Sequence, residues 1–291
     1  MRPRRGEKSA DRRVSVSARR PLSVSPGRLD PVITLLTDFG AADHFVGSLK
    51  GVIISLTPQA RIVDLTHEIA AHDIEAAAFT LLGAYKSFPK GTVHVAVVDP
   101  GVGSTRRGIA VVAAGQIFVG PDNGIFSYIY ERESEFSVYE LSNDELFRKP
   151  VSPTFHGRDV FAPVAAALSN GVKLEKLGLR VTDPVKLPRL TPEVGDSRIR
   201  ARIIHIDRFG NCVTNITPEV LTPKMIDAGA QLTVKGKKIT SFRSFFAEET
   251  GGRAQLFALW GSAGFLEIAA ANRSAARLLG TRRGERVVVR F

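Results

Sequence analysis

PVITLLTDFGAADHFVGSLKGVIISLTPQARIVDLT (31–66) is the stretch whose reading decides the fold class. VITLL is a short apolar run, the pattern of a buried strand, and it ends in the polar turn TDFG. Over residues 43–56 the period changes, placing Phe45, Leu49, Val52, Ile53 and Leu56 at helical spacing. RIVDL (61–65) returns to a strand pattern. The alternation continues with a helix over 73–88, Asp73 as its N-cap and FPKG as its terminator. TVHVAVVD (92–99), GIAVVAA (108–114) and QIFVG (116–120) read as strands, and FAPVAAALSNG (161–171) as a helix closed by Gly171. Strands alternating with helices predict an α/β domain built on a largely parallel sheet with helices on its faces.

After about residue 186 the pattern changes. LPRLTPEVGD is rich in proline and glycine and reads as a linker. RIRARIIHID (198–207), NCVTNI (211–216), QLTVKGKKI (231–239), AQLFALW (254–260), FLEIAA (265–270) and ERVVVRF (285–291) are short strands between turn residues. Helical patterning remains only near 218–228 and 272–279. The expected organisation is a basic, disordered extension at 1–30, an N-terminal α/β domain at 31–186, a linker at 187–197, and a mostly antiparallel, barrel-like β domain at 198–291.

Composition narrows the function classes. With 44% hydrophobic and 24% charged residues the chain has globular character. Its longest apolar runs fall far short of the roughly 20 residues of a membrane span. The single cysteine, Cys212, excludes an internal disulfide and any multi-cysteine metal site. The net charge is +11, but residues 1–30 hold eight arginines and one lysine against Glu7, Asp11 and Asp30, so more than half of the excess lies in the extension. No basic run interleaved with stacking aromatics occurs in the body, so neither nucleic acid nor membrane is an expected partner. The extension lacks the apolar core of a secretory signal. Its Arg/Ser-rich start is similar to an organellar transit peptide; a cytoplasmic location is the main expectation.

Chemistry-bearing residues gather at strand ends. Asp38 follows VITLLT and Asp99 follows TVHVAVV, where ligands of open α/β sheets sit. DPGVGSTRRG (99–108) adds Gly101, Gly103, Arg106 and Arg107, but its third position for a dinucleotide fingerprint is Arg106, and it lacks a P-loop ending. PDNG (121–124) reads as a hairpin turn. FHGRDVFAP (155–163) presents His156 just before a helix, with Gly157 or Asp159 in reach of capping it. DRFGNCVTN (207–215) offers Asp207, Asn211 and Asn215, and WGSAGFLEIAAAN (260–272) ends in Asn272. There is no GxSxG elbow. The residues alone leave two readings open: a metal-dependent hydrolase using Asp38, Asp99 and His156, or a metal-free enzyme binding a polar, nucleoside-like ligand.

Read together, TDFG (37–40), HFVGSLKG (44–51), DLTHEI (64–69), FPKGTVHVAVVDPGVGSTRR (88–107), PDNG (121–124), FHGRDVFAP (155–163), DRFGNCVTNI (207–216) and FLEIAAAN (265–272) resemble the S-adenosyl-L-methionine hydroxide adenosyltransferases, hydrolases related to the adenosyl fluorinases and chlorinases. The resemblance covers about residues 32 to 290. It implies an N-terminal α/β domain, a C-terminal β-barrel-like domain and a homotrimer whose substrate lies between subunits. It implies attack of water or hydroxide on the ribose 5′ carbon of S-adenosylmethionine, giving adenosine and L-methionine, with no cofactor and no metal. By position, Asp99, Arg106 and His156 match the water-handling set, and Asp38 the carboxylate that receives the ribose hydroxyls. Asp207 matches the acceptor of the methionine ammonium, Asn211 the reader of adenine, Phe209 and Phe246 the walls around the base, Ser262 a hydroxyl near the methionine carboxylate, and Asn272 an adenine contact. Ala263 and the Arg-Ser pair after Asn272 depart from the family pattern. Halogenases of this kind carry tyrosine where Asp99 stands and lack His156, so hydrolysis is expected over halogenation or mere binding of the nucleoside.

Overall fold

The computed structural model describes residues 30–248 and 255–291; the expected disorder of the N-terminal extension concerns residues that lie outside these, apart from Asp30. The first half forms one seven-stranded sheet from β1 (Val32–Thr37), β2 (Arg61–Thr66), β3 (Val93–Val97), β4 (Gly108–Ala113), β5 (Gln116–Pro121), β6 (Phe136–Glu140) and β7 (Arg180–Val181). Their order is β2-β1-β3-β5-β4-β6-β7. The pairings of β1 with β2, β1 with β3 and β3 with β5 are parallel, while β4, β6 and β7 extend the sheet antiparallel, so it is mixed. The helices α1 (Phe45–Leu56), α2 (Ile74–Ala84), α3 (Ser127–Arg132) and α4 (Ala162–Ser169) cover it. Asp73 caps α2 as expected, accepting from Ala76 N–H at 3.0 Å.

Two local expectations are corrected. PDNG is no hairpin: Asn123 Nδ2 donates to the Val98 carbonyl (2.8 Å) and Gly124 takes a positive φ, so the turn leads from β5 into α3. The hairpin is one step earlier, where Ala114 and Gly115, both at positive φ, join β4 to β5. Nor do Gly157 and Asp159 cap a helix; both lie inside a π-helical turn over Gly157–Phe161 that runs into α4.

The second half is an eight-stranded antiparallel sheet of β8 (Glu193–Gly195), β9 (Arg198–Ile206), β10 (Cys212–Thr214), β11 (Gln231–Val234), β12 (Lys237–Ile239), β13 (Leu256–Trp260), β14 (Leu266–Ala270) and β15 (Arg286–Arg290). A bridge between Phe242, just past β12, and Ala258 in β13 brings the two edges together, which makes the sheet barrel-like. Two short helices, α5 (Pro223–Asp227) and α6 (Ala275–Leu279), accompany it. Within the Pro/Gly-rich stretch, Leu187 and Leu190 pack onto the first core and β8 pairs with β9.

That first core joins the halves. Ile204, Val213 and Phe265 of the second sheet pack with Phe79 and Leu82 of α2. Phe79 stacks on His205 at 4.8 Å and meets Phe265 at 6.0 Å. Beside it, Arg283 holds both oxygens of Asp73 (2.7 and 2.6 Å), and Arg202 donates to Glu75 (2.6 Å), which also receives Tyr128 OH (2.9 Å).

A buried polar chain ties the parallel strands. His94 in β3 has no exposed surface, lies 2.7 Å from Thr34 Oγ1 and 3.3 Å from Gln116 Oε1, and stacks on Phe118. Gln116 Nε2 in turn serves the carbonyls of Tyr85 and Phe88. The Gln116 acceptor fixes the proton on Nε2, leaving Nδ1 to accept from the Thr34 hydroxyl, so the ring is neutral. Burial pushes its pKa down to about 4. Below pH 6.5 the unfolded chain therefore takes a proton that the native chain refuses until about pH 4, and stability falls as pH falls through that window, by about 3 kcal/mol in all. We expect the denaturation midpoint to decline between pH 6.5 and 4 and His94→Phe to flatten the decline; an unchanged slope in that variant would assign it elsewhere.

Candidate active site

The carboxyl ends of the parallel strands carry the first set of polar groups. Thr37 and Val97 stand opposite each other at the ends of β1 and β3, so Asp38 and Asp99 leave the sheet along one edge. Because β4 runs antiparallel, its N-terminal end returns to that edge and brings Arg106 with it. Gly103 makes the intervening loop feasible: its φ is +79°, and a Cβ there would lie 2.2 Å from the Pro153 carbonyl. This close approach seats the loop against the segment leading to His156.

Three residues that the sequence separates by up to 57 positions thus meet. Arg106 Nε donates to Asp99 Oδ1 (3.0 Å), its Nη2 donates to Asp99 Oδ2, and Nη2 also donates to His156 Nδ1 (2.8 Å). Asp99 and Arg106 side chains are only 5% and 12% exposed, and the guanidinium lies over the Phe161 ring at 5.3 Å. Because Nδ1 accepts from a guanidinium that cannot give up its proton, His156 is the neutral tautomer with hydrogen on Nε2. Burial first, then the neighbouring Arg106 charge, hold its pKa below the ordinary imidazole value. Arg107 turns the other way, to Asp122 and Asp183, and serves the loop rather than the site. Asp159, fully buried, receives Arg148, Arg158 and the Ser152 N–H, which anchors the π-helical turn behind His156. Asp38 is half-buried and accepts from His72 N–H at 2.9 Å.

The second set lies on the barrel-like sheet, around an open cavity of about 1460 Å³. Asp207, Phe209, Asn211, Phe246 and Asn272 all line it. Asp207 organises the turn: Oδ1 accepts from Phe209 and Asn211 N–H (2.9 and 2.8 Å), and Oδ2 from Asn211 Nδ2 (2.9 Å). Among the described residues nothing pairs with the side-chain carbonyl oxygen of Asn211 or with its second amide N–H, both at the cavity wall. Gly210, at φ +84°, lets the turn press on α6, where a Cβ would meet Ser274 Oγ at 2.1 Å. Phe209 and Phe246 are exposed, 78% and 51%, as flat apolar faces. Ser262 lies in the turn between β13 and β14 and is not part of the cavity lining. Neither Asp38, Asp99, Arg106 nor His156 lines this cavity, whose walls, among the described residues, come from within 206–277.

Arg243, Arg273 and Arg277 also line it; of these the sequence marks only Arg273, as part of the Arg-Ser departure after Asn272. Arg243 sits 3.9 Å from the centroid of Phe257, a stacking that only a cross-sheet neighbour could reveal. Cys212 is buried, and burial pushes its thiol up to about 12, which makes it unfit as a nucleophile.

The chain matches the family models of the SAM hydroxide adenosyltransferase N-terminal domain over residues 33–178 and C-terminal domain over residues 201–288. It is 38% identical over 264 residues to an (R)-S-adenosyl-L-methionine hydrolase of Methanocaldococcus jannaschii, covering 85% of this chain and 91% of that protein. A hydrolase of the same name from Salinispora arenicola is 37% identical, covering 89% and 97%. A fluorinase of Nocardia brasiliensis is more distant, 30% identical over 70% of this chain and 77% of that protein. Among solved structures, an uncharacterized conserved protein from Thermotoga maritima superposes with a TM-score of 0.80 at 35% identity, covering 89% of this chain and 100% of that one. The site's two halves and these similarities agree: the chain belongs to the SAM hydroxide adenosyltransferase family.

Proposed function

We propose that the protein hydrolyses S-adenosyl-L-methionine to adenosine and L-methionine. The observation that carries this reading is the guanidinium of Arg106 bridging Asp99 and His156 in a nearly dry niche at the strand ends. Such a centre suits an oxygen nucleophile: fixed positive charge favours hydroxide over water, and low exposure strengthens the effect. The oxygen attacks the ribose 5′ carbon, the C5′–S bond breaks, and its electron pair returns to sulfur as the neutral thioether of methionine. The sulfonium is already a good leaving group, so the protein's task is in-line placement and partial desolvation.

The hydrogen-bond order divides the labour. His156, with Nδ1 occupied by Arg106, offers Nε2–H as a donor that orients the attacking oxygen. Asp99 keeps lone pairs to accept the hydrogen that the water gives up. Asp38 receives the ribose hydroxyls, Phe209 and Phe246 flank adenine, and Asn211 and Asn272 read its edge. Asp207 takes the methionine ammonium; Ser262, which lies outside the cavity lining, is matched to the methionine carboxylate by its position in the family alone. Since, among the described residues, the cavity is walled by the C-terminal half, a second copy supplying Asp38 and the Arg106 centre would complete the site; we assign a homotrimer with inter-subunit sites. No cofactor enters this scheme.

Two other readings are weaker. A halide has no hydrogen to donate to the Asp99 carboxylate and would meet it anion to anion, a repulsion of about 4 kcal/mol at 4 Å and an effective dielectric of 20 that Arg106 offsets only in part, whereas water arrives neutral and donates to that carboxylate. A divalent metal held by Asp99 and His156 would have to displace the guanidinium between them.

Incubation with S-adenosylmethionine in halide-free buffer should yield adenosine and methionine, unaffected by EDTA, and in water enriched in heavy oxygen the label should enter the 5′ hydroxyl. Halide-dependent 5′-halo-adenosine with no adenosine in its absence would overturn the reading, and tight binding without turnover over hours would make the protein a binder only. Asp99→Asn and His156→Ala should each lower kcat by about 10²–10³ while ligand still binds. The His156 ring should titrate below pH 6.5 by NMR, and Arg106→Gln should raise that midpoint, because the repelling cation is gone and Asp99 remains. A midpoint that does not move would remove Arg106 as its electrostatic partner.

A further inference from the structure

The turn carrying Asp38 is braced from the segment that follows β2. Phe39 N–H donates to Thr37 Oγ1 (3.2 Å), Gly40 N–H to the His67 carbonyl (2.8 Å), and His72 N–H to Asp38 Oδ2. Thr37 Oγ1 and His67 Nδ1 lie 2.8 Å apart. A register slip creates this arrangement. Leu35 stands opposite Asp64, but Leu36 stands opposite Thr66, so one extra residue in β2 re-aims the chain and brings His67 beside the turn.

Behind His67 lies a second pair of charges. Its Nε2 is 3.1 Å from Asp64 Oδ1, and Asp64 Oδ2 receives Lys50 at 2.6 Å. The His67 side chain is only 10% exposed, and Nε2 has no aligned hydrogen-bond partner among the described residues. The carboxylate beside Nε2 favours the proton there, which leaves Nδ1 to accept from the Thr37 hydroxyl. The oxygen of that hydroxyl then holds the Phe39 N–H. Thr37 itself is fully buried at the end of β1, so this chain of contacts has little room to rearrange.

We propose that His67 is a positioning residue for substrate: acting through Thr37 and the 37–40 turn, it sets the direction in which Asp38 presents its carboxylate to a vicinal diol. The proposal rests on reading Asp38 as the acceptor of the ribose hydroxyls. Two hydroxyls held by one carboxylate demand a particular angle, and a rotated turn would forfeit one of them. The aromatic and amide contacts to the base, on the other sheet, would be untouched.

Calorimetric titration with adenosine and with 2′,3′-dideoxyadenosine isolates this effect, since only the first offers the diol. Wild-type protein should prefer adenosine, and His67→Ala and Thr37→Val should each cut that preference about tenfold while dideoxyadenosine affinity stays within about twofold. His67→Asn, whose amide falls near the Nδ1 position, should restore most of it, and the double variant should be no worse than either single one. If His67→Ala fails to fold, the near-isosteric Thr37→Val carries the same measurement. Equal weakening of both ligands would mean a general packing defect, and an unchanged preference would mean no coupling; either overturns the proposal. A wild-type protein that does not discriminate the two nucleosides would instead overturn the ribose role of Asp38, and the proposal with it.

Discussion

The packing of Phe79 against His205 and Phe265 constrains everything that the two halves can present to a ligand. It merges the α2 and α3 side of the first sheet with one face of the second into a single core, and burial there outweighs the ion pairs beside it, since partly exposed pairs each contribute on the order of 1 kcal/mol or less. The pairs do fix orientation. Asp73 is at once the N-cap of α2 and the partner of Arg283, and the residue before it, His72, donates its N–H to Asp38. One short turn therefore links the start of α2, the junction between the two sheets and the Asp38 carboxylate.

Within that frame the Asp99–Arg106–His156 cluster is organised by a cation. Placing Arg106 in a nearly dry niche costs desolvation, offset by the two-point contact with Asp99, the bond to His156 Nδ1 and the face of Phe161. The same arrangement dictates the protonation of its neighbours. His156 becomes a neutral donor, and the carboxylate stays available as an acceptor. The guanidinium thus supplies fixed positive charge at the strand ends.

Much of this was legible in the amino-acid order because it is local. The change of period from VITLL to the helix at 45–56, the Asp73 cap and the turn-bounded strands after residue 198 are set by side-chain spacing and backbone preference within a few residues. So is the placing of Asp38 and Asp99 at strand ends. Where two local signals compete, sequence misled: Asn-Gly in PDNG suits a hairpin, but the nearby Ala114-Gly115 turn already makes one, and Asn123 is drawn instead to the Val98 carbonyl of a neighbouring strand segment.

What the tertiary structure alone decided is which distant groups meet. Strand order β3-β5-β4 puts the start of β4 on the edge where β1 and β3 end, and only that order brings Arg106 to Asp99 and, across 50 residues, to His156. The slip between β1 and β2 that sets His67 beside Thr37, and the stacking of Arg243 on Phe257, likewise follow from pairing between strands. Spacing along the chain reports the period of one element at a time. The register of one strand against another is fixed by side chains that pack from elsewhere, and the chemistry of this site is written in that register.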